Sequence, residues 1–421
     1  MKRVAAVVVA VATVVAVLAC VALGAGLLGG LGAGAGVDTS KPARDDRTPR
    51  PRGLGARVTV RWSEAVRGWP SQLAADDSGV IAVSGGRFVS SFASGDGSFR
   101  WETEVSGPLH PFMEPAVDAR SVLVSAGDRF VMLDRADGAI RWEAEAGTDA
   151  LGDPGDGAEG VALVAPPAGE AASGAAGEAV ALTAGPHGSL SGRDATTGTL
   201  RWSIAAAGTV DGRLEGDAGT GTVVAVWRDA TGSTVRAVDV GSGEVRWEQT
   251  VEAMAGSPAV AGDAVIIAAG DGDYSASVRA LGLADGTVRW QAPVPASFEP
   301  GLVPGIAGVG RPAGVVGVVD HHGTVSLLEL RTGALRWRTE TGVPALGGRL
   351  LLTSDAVVIR NEGQQLVVLD RSRGGVVDRR TDPEGLPEGI AAVGDRVLVG
   401  WRWTQPGRID ALEIEIVPSR P

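Results

Sequence analysis

A five-residue phrase recurs along this chain of 421 residues and constrains its fold more than any other feature. The phrase is a glycine, two variable residues, an arginine and a tryptophan. Six copies are complete, and in the seventh a valine and an aspartate replace the arginine and the tryptophan. The copies are Gly97 with Trp101, Gly138 with Trp142, Gly198 with Trp202, Gly243 with Trp247, Gly286 with Trp290, Gly333 with Trp337, and Gly374 with Asp378. A period of roughly 43 residues indicates a repeat architecture.

Each phrase follows two short runs rich in valine, leucine and alanine, such as 122–125 and 129–134. Short apolar runs bounded by glycine and aspartate predict β-strands. In five of the seven copies an acidic residue lies four positions before the glycine, a pattern typical of a hairpin turn. With a Gly-, Ala- and Pro-rich first strand such as 256–261, each repeat predicts a four-stranded antiparallel sheet. Such sheets, repeated, predict an all-β β-propeller.

The tryptophans are best explained as docks between adjacent blades, because an indole at one fixed place in every blade would be buried against its neighbour. The outer strand also alternates charge, as at 141–145, which suits an open sheet edge. A ring of binding arginines is the alternative for the recurrent arginine.

A further tryptophan, Trp62, stands 39 residues before Trp101 with no turn phrase in front of it. At the other end of the chain, 389–392, 396–403 and 408–417 supply three strands and no outer one. The two fragments predict one shared blade that closes the ring. The count is then eight blades, with seven as the alternative if the copy at Asp378 is a distorted blade. The long interval before Trp202 holds an Ala-, Gly-, Pro- and Glu-rich insertion, 152–178, predicted as a surface loop.

The order Ala-Val-Asp-Val-Gly-Ser-Gly-Glu-Val-Arg-Trp at 237–247 resembles the repeat of quinoprotein (PQQ-like) β-propellers, and the resemblance covers about 57–417. That superfamily includes quinone-dependent dehydrogenases. It also includes non-enzymatic propellers, among them the lipoprotein of the outer-membrane assembly machine and the sensor domains of membrane kinases, which this chain resembles more. For a dehydrogenase the resemblance implies adjacent cysteines, a catalytic aspartate near calcium ligands and sometimes a haem site. The chain has one cysteine, Cys20, so neither the cysteine pair nor the haem site can form.

Lys2 and Arg3 precede an uncharged stretch, 4–37, that is long enough to span a bilayer. The predicted organisation is a signal or transmembrane anchor at 1–37, a disordered Pro- and Arg-rich linker at 38–56, the propeller at 57–417 and a tail at 418–421. Alternatives to an uncleaved anchor are cleavage near Ala35 with secretion, and lipidation of Cys20.

The predicted location is the cell membrane, with a single pass and the propeller outside the cytoplasm. Six basic residues just after the span favour the opposite orientation, whereas the short basic tip before it resembles a secretory leader. The formal net charge of −12 argues against nucleic acid as a partner. An unidentified protein of the cell envelope is the predicted partner.

The remaining candidate sites have simpler explanations. Trp401 and Trp403 lie two residues apart on one predicted strand, so their rings share a face and could stack against a flat ligand. Burial of both side chains in the core is the simpler explanation. Asp320-His321-His322 could touch a metal, but neighbouring strand residues point to opposite faces. Asp271-Gly272-Asp273 resembles half a calcium loop and is explained by a hairpin turn. The other histidines are His110 and His187. No catalytic, cofactor or metal site is predicted.

These observations predict a non-enzymatic scaffold or sensor that binds a protein through the loops at one mouth of the ring. The alternative is a quinone- or sugar-binding propeller, including a PQQ-dependent oxidoreductase.

Overall fold

In this computed structural model the described residues are 54–418, apart from 111–112, 146–159, 165–178, 186–187, 206–207, 211–212, 230, 252–253, 271–274, 296–304, 308–313, 321, 343–349, 361–364, 382–384 and 403–405. The predicted anchor, Cys20 and most of the predicted linker lie outside this part of the chain. No α-helix occurs among the described residues, and none of their elements is a helix that could span a bilayer.

Every repeat forms one antiparallel sheet, with its strands mostly in chain order. The first described strand, β1 (Leu54–Val66), belongs to the closing blade. Blades 1 to 3 are β2 (Pro70–Asp76), β3 (Gly79–Ser84), β4 (Phe88–Phe92) and β5 (Phe99–Glu104); β6 (Ala116–Val117), β7 (Ser121–Ala126), β8 (Arg129–Asp134) and β9 (Ile140–Glu145); and β10 (Gly160–Val164), β11 (Val180–Gly185), β12 (Ser189–Asp194) and β13 (Leu200–Ile204).

The next two blades have five strands each. Blades 4 and 5 are β14 (Thr209–Val210), β15 (Glu215–Asp217), β16 (Thr222–Arg228), β17 (Ser233–Asp239) and β18 (Val245–Val251); and β19 (Met254–Ala255), β20 (Ala259–Ala261), β21 (Ala264–Gly270), β22 (Ser275–Gly282) and β23 (Val288–Pro295). In each of these blades the innermost strand is split into two short segments, and both segments pair with the same second strand, β16 in blade 4 and β21 in blade 5. In blade 5 the break includes Pro258, which has no amide hydrogen to give to the ladder.

The last three blades have four strands each. Blades 6 to 8 are β24 (Gly305–Ala307), β25 (Val315–Val319), β26 (Thr324–Glu329) and β27 (Leu335–Glu340); β28 (Leu350–Leu352), β29 (Ala356–Arg360), β30 (Leu366–Asp370) and β31 (Val376–Arg380); and β32 (Leu386–Val393), β33 (Arg396–Arg402) and β34 (Gly407–Pro418) with β1. The predicted eight-bladed propeller of antiparallel blades is confirmed, and the seven-bladed alternative is wrong. The innermost segments contact one another in succession, from β2 through β6, β10, β15 and β20 onward, and β32 returns to β2.

The closing blade is built from both ends of the described chain. Strand β1 pairs antiparallel with β34 from Leu54 opposite Pro418 to Val66 opposite Gly407, and the sheet order is β1-β34-β33-β32. Trp62 and the C-terminal strands therefore share one blade, as the sequence predicts. Strand β1 begins three residues inside the segment that the sequence assigns to the linker.

The second strand of each blade is buried on both faces because a blade packs against each side of it. In blades 1, 2 and 3 all six residues of this strand are buried. The apolar clusters accordingly lie between blades. One joins Trp247 of blade 4 to Ile267 and Leu283 of blade 5. The core of the ring is thus a series of seams rather than one central mass.

Because the strands alternate in direction, the connections alternate between the two sides of the ring. We call one side the turn face: it carries the phrase turns between third and fourth strands and the turns between first and second strands. The other side, the loop face, carries the turns between second and third strands and the connections between blades. Leu54 and Pro418 lie at the turn face, whereas Val66 and Pro70 lie at the loop face.

Candidate functional site

Seven tryptophans occupy the same place at seven of the eight seams. Each indole Nε1 donates a hydrogen bond to a backbone oxygen in the turn of the next blade, over 2.7 to 3.3 Å. The pairs are Trp62 to Ser94, Trp101 to Arg135, Trp142 to Ala195, Trp202 to Val240, Trp247 to Leu283, Trp290 to Leu330 and Trp337 to Arg371. These contacts place each indole against the turn of the next blade. The energy they contribute stays a prediction for unfolding experiments.

The phrase glycine receives the indole of the preceding blade. At Gly286 the φ angle is +69°, and the amide donates to the carbonyl of Gly282 over 2.8 Å. A Cβ added to Gly286 would lie 2.6 Å from Cε3 of Trp247. Glycine is therefore required twice here, for a backbone conformation that side chains disfavour and for close approach of the ring.

The recurrent arginine pairs within its own blade. Arg141 contacts Asp134 at 2.6 Å, Arg246 contacts Asp239 at 2.5 Å and Arg336 contacts Glu329 at 3.2 Å, in each case the acidic residue that opens the turn. In the fifth repeat a glycine stands at that position, and Arg289 pairs with Asp263 at 2.7 Å instead. These pairs favour a structural role for the arginine over the alternative of a binding ring.

The acidic residue also accepts hydrogen bonds from the turn. Asp194 accepts from the amides of Thr196 and Thr197 at 2.9 Å and pairs with Arg201. Burial alone would raise the pKa of Asp194, but the hydrogen bonds from Arg201 and the two amides outweigh it and lower the pKa to about 2. The carboxylate is therefore held ionised well below neutral pH.

The seam between blades 7 and 8 differs from the other seven. Asp378 on β31 lies opposite Val368, the register that Trp337 has opposite Leu327 one blade earlier. Blade 8 has no phrase turn to receive an indole, because its third and fourth strands, β34 and β1, are not consecutive in the sequence. The loss of the tryptophan thus coincides with the loss of its acceptor.

An exposed aromatic and arginine cluster lies on the loop face beside the closing blade. We call it the Trp69 patch, formed by Arg67, Trp69, Phe88 and Arg402. Trp69 is 45% exposed, and the Arg402 guanidinium lies 5.2 Å from its ring. Arg67 covers the Phe88 ring at 4.8 Å. Tryptophan and arginine are the residues most enriched among energetically dominant interface positions, so this patch is a candidate protein-binding surface.

A charged cluster joins two other blades, also toward the loop face. Arg213, which precedes β15 of blade 4, contacts Glu215 at 2.5 Å and reaches Glu114 of blade 2 at 3.8 Å. Burial raises the pKa of Glu215, and Glu114 raises it further against the opposing charge of Arg213. The cluster thus links blades 2 and 4 across blade 3, close to the innermost strands of the ring.

The structure does not bring the remaining candidate residues of the sequence analysis together into one site. Trp401 is buried and donates from Nε1 to Oδ2 of Asp410 at 2.8 Å, as a core position requires. Asp320 is buried and accepts from the Thr324 amide at 2.7 Å, which is turn geometry. His322 is exposed, and burial lowers the pKa of His110. Outside the described residues lie Trp403, His187, His321, Cys20 and Asp271-Gly272-Asp273. Within the described part of the chain, no group of three His, Cys, Asp or Glu side chains could hold a metal ion.

Sequence reasoning missed Trp69 and Trp227. The sequence did offer a signal for both, because neither tryptophan occupies the last position of a phrase. Trp227 is buried in blade 4 and donates to the carbonyl of Gly188 in blade 3 at 2.7 Å, so it is a further contact between blades.

The fold and seams define an eight-bladed propeller with tryptophan docks. Residues 55–172 and 153–301 match the family described as outer membrane protein assembly factor BamB, whose repeat is PQQ-like, and the chain belongs to this family. No curated protein gives a significant match.

Solved structures share the fold at low sequence identity. BamB from Moraxella catarrhalis is 15% identical with a TM-score of 0.61, covering 85% of this chain and 98% of its own. The quinohemoprotein alcohol dehydrogenase from Comamonas testosteroni is 13% identical with a TM-score of 0.60, covering 84% and 76%. The C-terminal WD40 domain of Sif2 is 11% identical with a TM-score of 0.58, covering 87% and 98%.

Proposed function

We propose that this protein is a non-enzymatic, membrane-tethered propeller that serves as a scaffold or sensor by binding another protein of the cell envelope. The observation that carries the proposal is the Trp69 patch. A tryptophan nearly half exposed, with an arginine stacked against it, is costly to leave in water and suited to the centre of an interface. Membership of the BamB family, together with the BamB structure among its likenesses, supports a role in protein interaction.

The path of the chain favours the loop face as the binding side. The described chain enters the ring at Leu54 on the turn face. The Trp69 patch lies on the loop face, opposite the side at which the described chain enters the ring. The charges of the patch also suit an interface, because Arg67 and Arg402 pair with Glu102 and Glu388 at 3.4 and 3.6 Å. Those pairs hold the guanidinium groups in place before binding.

The proposed location is the cell membrane with the propeller outside the cytoplasm. It rests on the uncharged stretch at 4–37 and on the basic tip before it. Cleavage with secretion and lipidation of Cys20 are the alternatives. A reporter that is active only outside the cytoplasm, fused after Pro421, tests the orientation: an inactive reporter on an expressed fusion would place the propeller inside.

Site-specific photocrosslinking in cells tests partner binding. A crosslinking amino acid at position 69 should capture one protein, and substituting Arg402→Ala beside it should reduce the capture. The matched control is the same amino acid at position 99, because Phe99 is also exposed, at 58%, but lies on the turn face. Equal capture from both positions, or none from position 69, would contradict the proposal.

The alternative is a quinone- or sugar-binding propeller, including a PQQ-dependent oxidoreductase. The quinohemoprotein structure favours it through fold alone. The donors of this chain do not fit that chemistry, since Cys20 is its only cysteine and the described residues contain no metal-binding group of three. Titration with pyrroloquinoline quinone and calcium, followed by dye reduction with alcohols and sugars, separates the two functions. Turnover would replace the scaffold proposal with the enzyme.

A further inference from the structure

A cleft of about 610 Å³ opens at the seam between blades 7 and 8. We call it the closing-seam cleft. Blade 7 contributes Asp378, Arg379 and Arg380 from β31, followed by Thr381. Blade 8 contributes Val60, Ser63, Trp401, Arg408, Asp410 and Leu412. The volume lies within the range of small-molecule sites, roughly 300 to 1,000 Å³.

The repeat explains why this seam is open. At the other seams an indole from one blade lies in the turn of the next, whereas here Asp378 takes the indole position and the receiving turn is absent. An aspartate is much smaller than a tryptophan, and its carboxylate brings a charge into the seam. The closing-seam cleft is therefore a consequence of where the chain begins and ends its ring.

The lining is charged and ordered by internal contacts. Asp410 is buried and accepts a hydrogen bond from Ser63 Oγ at 2.7 Å and one from Trp401 Nε1 at 2.8 Å. Arg408 lies 3.2 Å from Asp410 through Nε and 5.5 Å from the centre of the Trp401 ring. Arg408 is thus fixed by a carboxylate on one side and an aromatic face on the other.

On the opposite wall, Arg380 donates from Nε to Oδ2 of Asp378 at 3.0 Å. The lining holds three arginines and two aspartates, in a protein whose formal charge is −12. Arg379 donates from Nη2 to the carbonyl of Thr341 at 2.6 Å, so Arg380 and Arg408 are the arginines on which an anion site would rest. An excess of guanidinium over carboxylate groups in a lining favours small anions over cations.

We propose that the closing-seam cleft binds a small organic anion through its carboxylate or phosphate oxygens. Arg380 and Arg408, which line the cleft from blades 7 and 8, bind the oxyanion. Guanidinium groups match the geometry of these oxyanions and make charge-assisted hydrogen bonds to them. The half-exposed side chain of Val60 offers an apolar contact for the rest of the ligand. This site is separate from the Trp69 patch, so either proposal can fail alone.

Calorimetric titration of the full-length protein in detergent tests the proposal, with succinate and inorganic phosphate as probes at constant ionic strength. We expect at least one probe to bind with a Kd below about 1 mM, and the stronger probe identifies the type of oxyanion. Arg380→Gln should weaken binding at least about tenfold, because it removes a charged donor and keeps a similar shape. The matched control is Arg338→Gln, on the outer strand of blade 6 beside a seam that Trp337 fills.

A second pair of variants tests the origin of the closing-seam cleft. Asp378→Trp should fill it and abolish binding, whereas Asp378→Asn should leave it open and retain binding. Three outcomes would overturn the proposal: a Kd above about 1 mM for both probes, equal losses in Arg380→Gln and Arg338→Gln, or parental binding in a folded Asp378→Trp protein. Because Arg380 is partly exposed, we expect the Arg380→Gln protein to fold. It therefore tests anion binding even if the Asp378 variants do not fold.

Discussion

Truncation of one docking tryptophan tests whether the seams stabilise the ring. Trp247 is 8% exposed, and its indole lies among apolar side chains of blades 4 and 5. Its Nε1 donates to the carbonyl of Leu283 at 2.7 Å. Trp247→Ala removes the apolar contact across the seam and leaves that carbonyl without the indole donor.

The expected cost follows from the area that the indole buries. A buried aromatic side chain of about 150 to 250 Å² at about 25 cal/mol per Å² gives a gross term of roughly 4 to 6 kcal/mol, an upper bound. Large-to-small substitutions of this kind in protein cores cost about 3 to 5 kcal/mol. We expect Trp247→Ala to lower the free energy of unfolding by about 3 to 5 kcal/mol.

The assay is equilibrium urea unfolding followed by circular dichroism and by fluorescence, and coincident curves establish that a two-state free energy can be used. Gly286→Ala provides the partner variant, because its Cβ would lie 2.6 Å from Cε3 of Trp247. In the Trp247→Ala background that clash disappears, and only the cost of the positive φ remains. The double variant should therefore be more stable than the sum of the single losses predicts. A loss below about 1 kcal/mol for Trp247→Ala would refute the docking role.

Two other perturbations test the closing blade and the turns. Deleting residues 57–64 removes most of β1 and should lower the melting temperature sharply, because β34 loses its partner strand and the Trp62 dock is removed; melting like the parent would contradict closure by β1. Asp194→Asn should lower the free energy of unfolding at pH 7 by at most about 2 kcal/mol. Because the folded pKa of Asp194 is about 2, below the ordinary 3.8, its stabilisation is present above about pH 4 and is lost as the pH falls toward 2. Urea unfolding across that range should show the two proteins converging, and a constant difference would refute the assignment.

The blade count and the closure were accessible from the sequence because both are local signals. Each phrase fixes a turn with its glycine, so the seven phrases count seven blades, and the closing strands add the eighth. The Trp62 segment supplies an outer strand and lacks the rest of a blade, whereas the C-terminal segment supplies three strands and lacks an outer one. The two segments can therefore be assigned to one blade without knowledge of distant contacts.

The remaining features depend on neighbours that the sequence does not display. Strand β10 lies at 160–164, inside the Ala- and Gly-rich insertion predicted as a loop, because the edge of β11 recruits it. The weak local preference of such residues is overridden by tertiary pairing. The reason for Asp378 is also tertiary, since it rests on the absent turn of blade 8. The Trp69 patch could not be predicted either, because the exposure of a loop tryptophan depends on how the closing blade packs.

The pairing of β1 with β34 has a consequence for how this protein reaches its native state during synthesis. Arg57 and Glu415, which pair across the closing blade, are separated by 358 residues. Strand β1 must therefore wait, with its edge unpaired, until β34 has been made. Seven blades can form by pairing between sequence neighbours in that interval, whereas the eighth bears the loop-closure entropy of the whole ring. Folding of the final blade should thus be the slow step, and a chaperone that shields the waiting strand would act before translation ends.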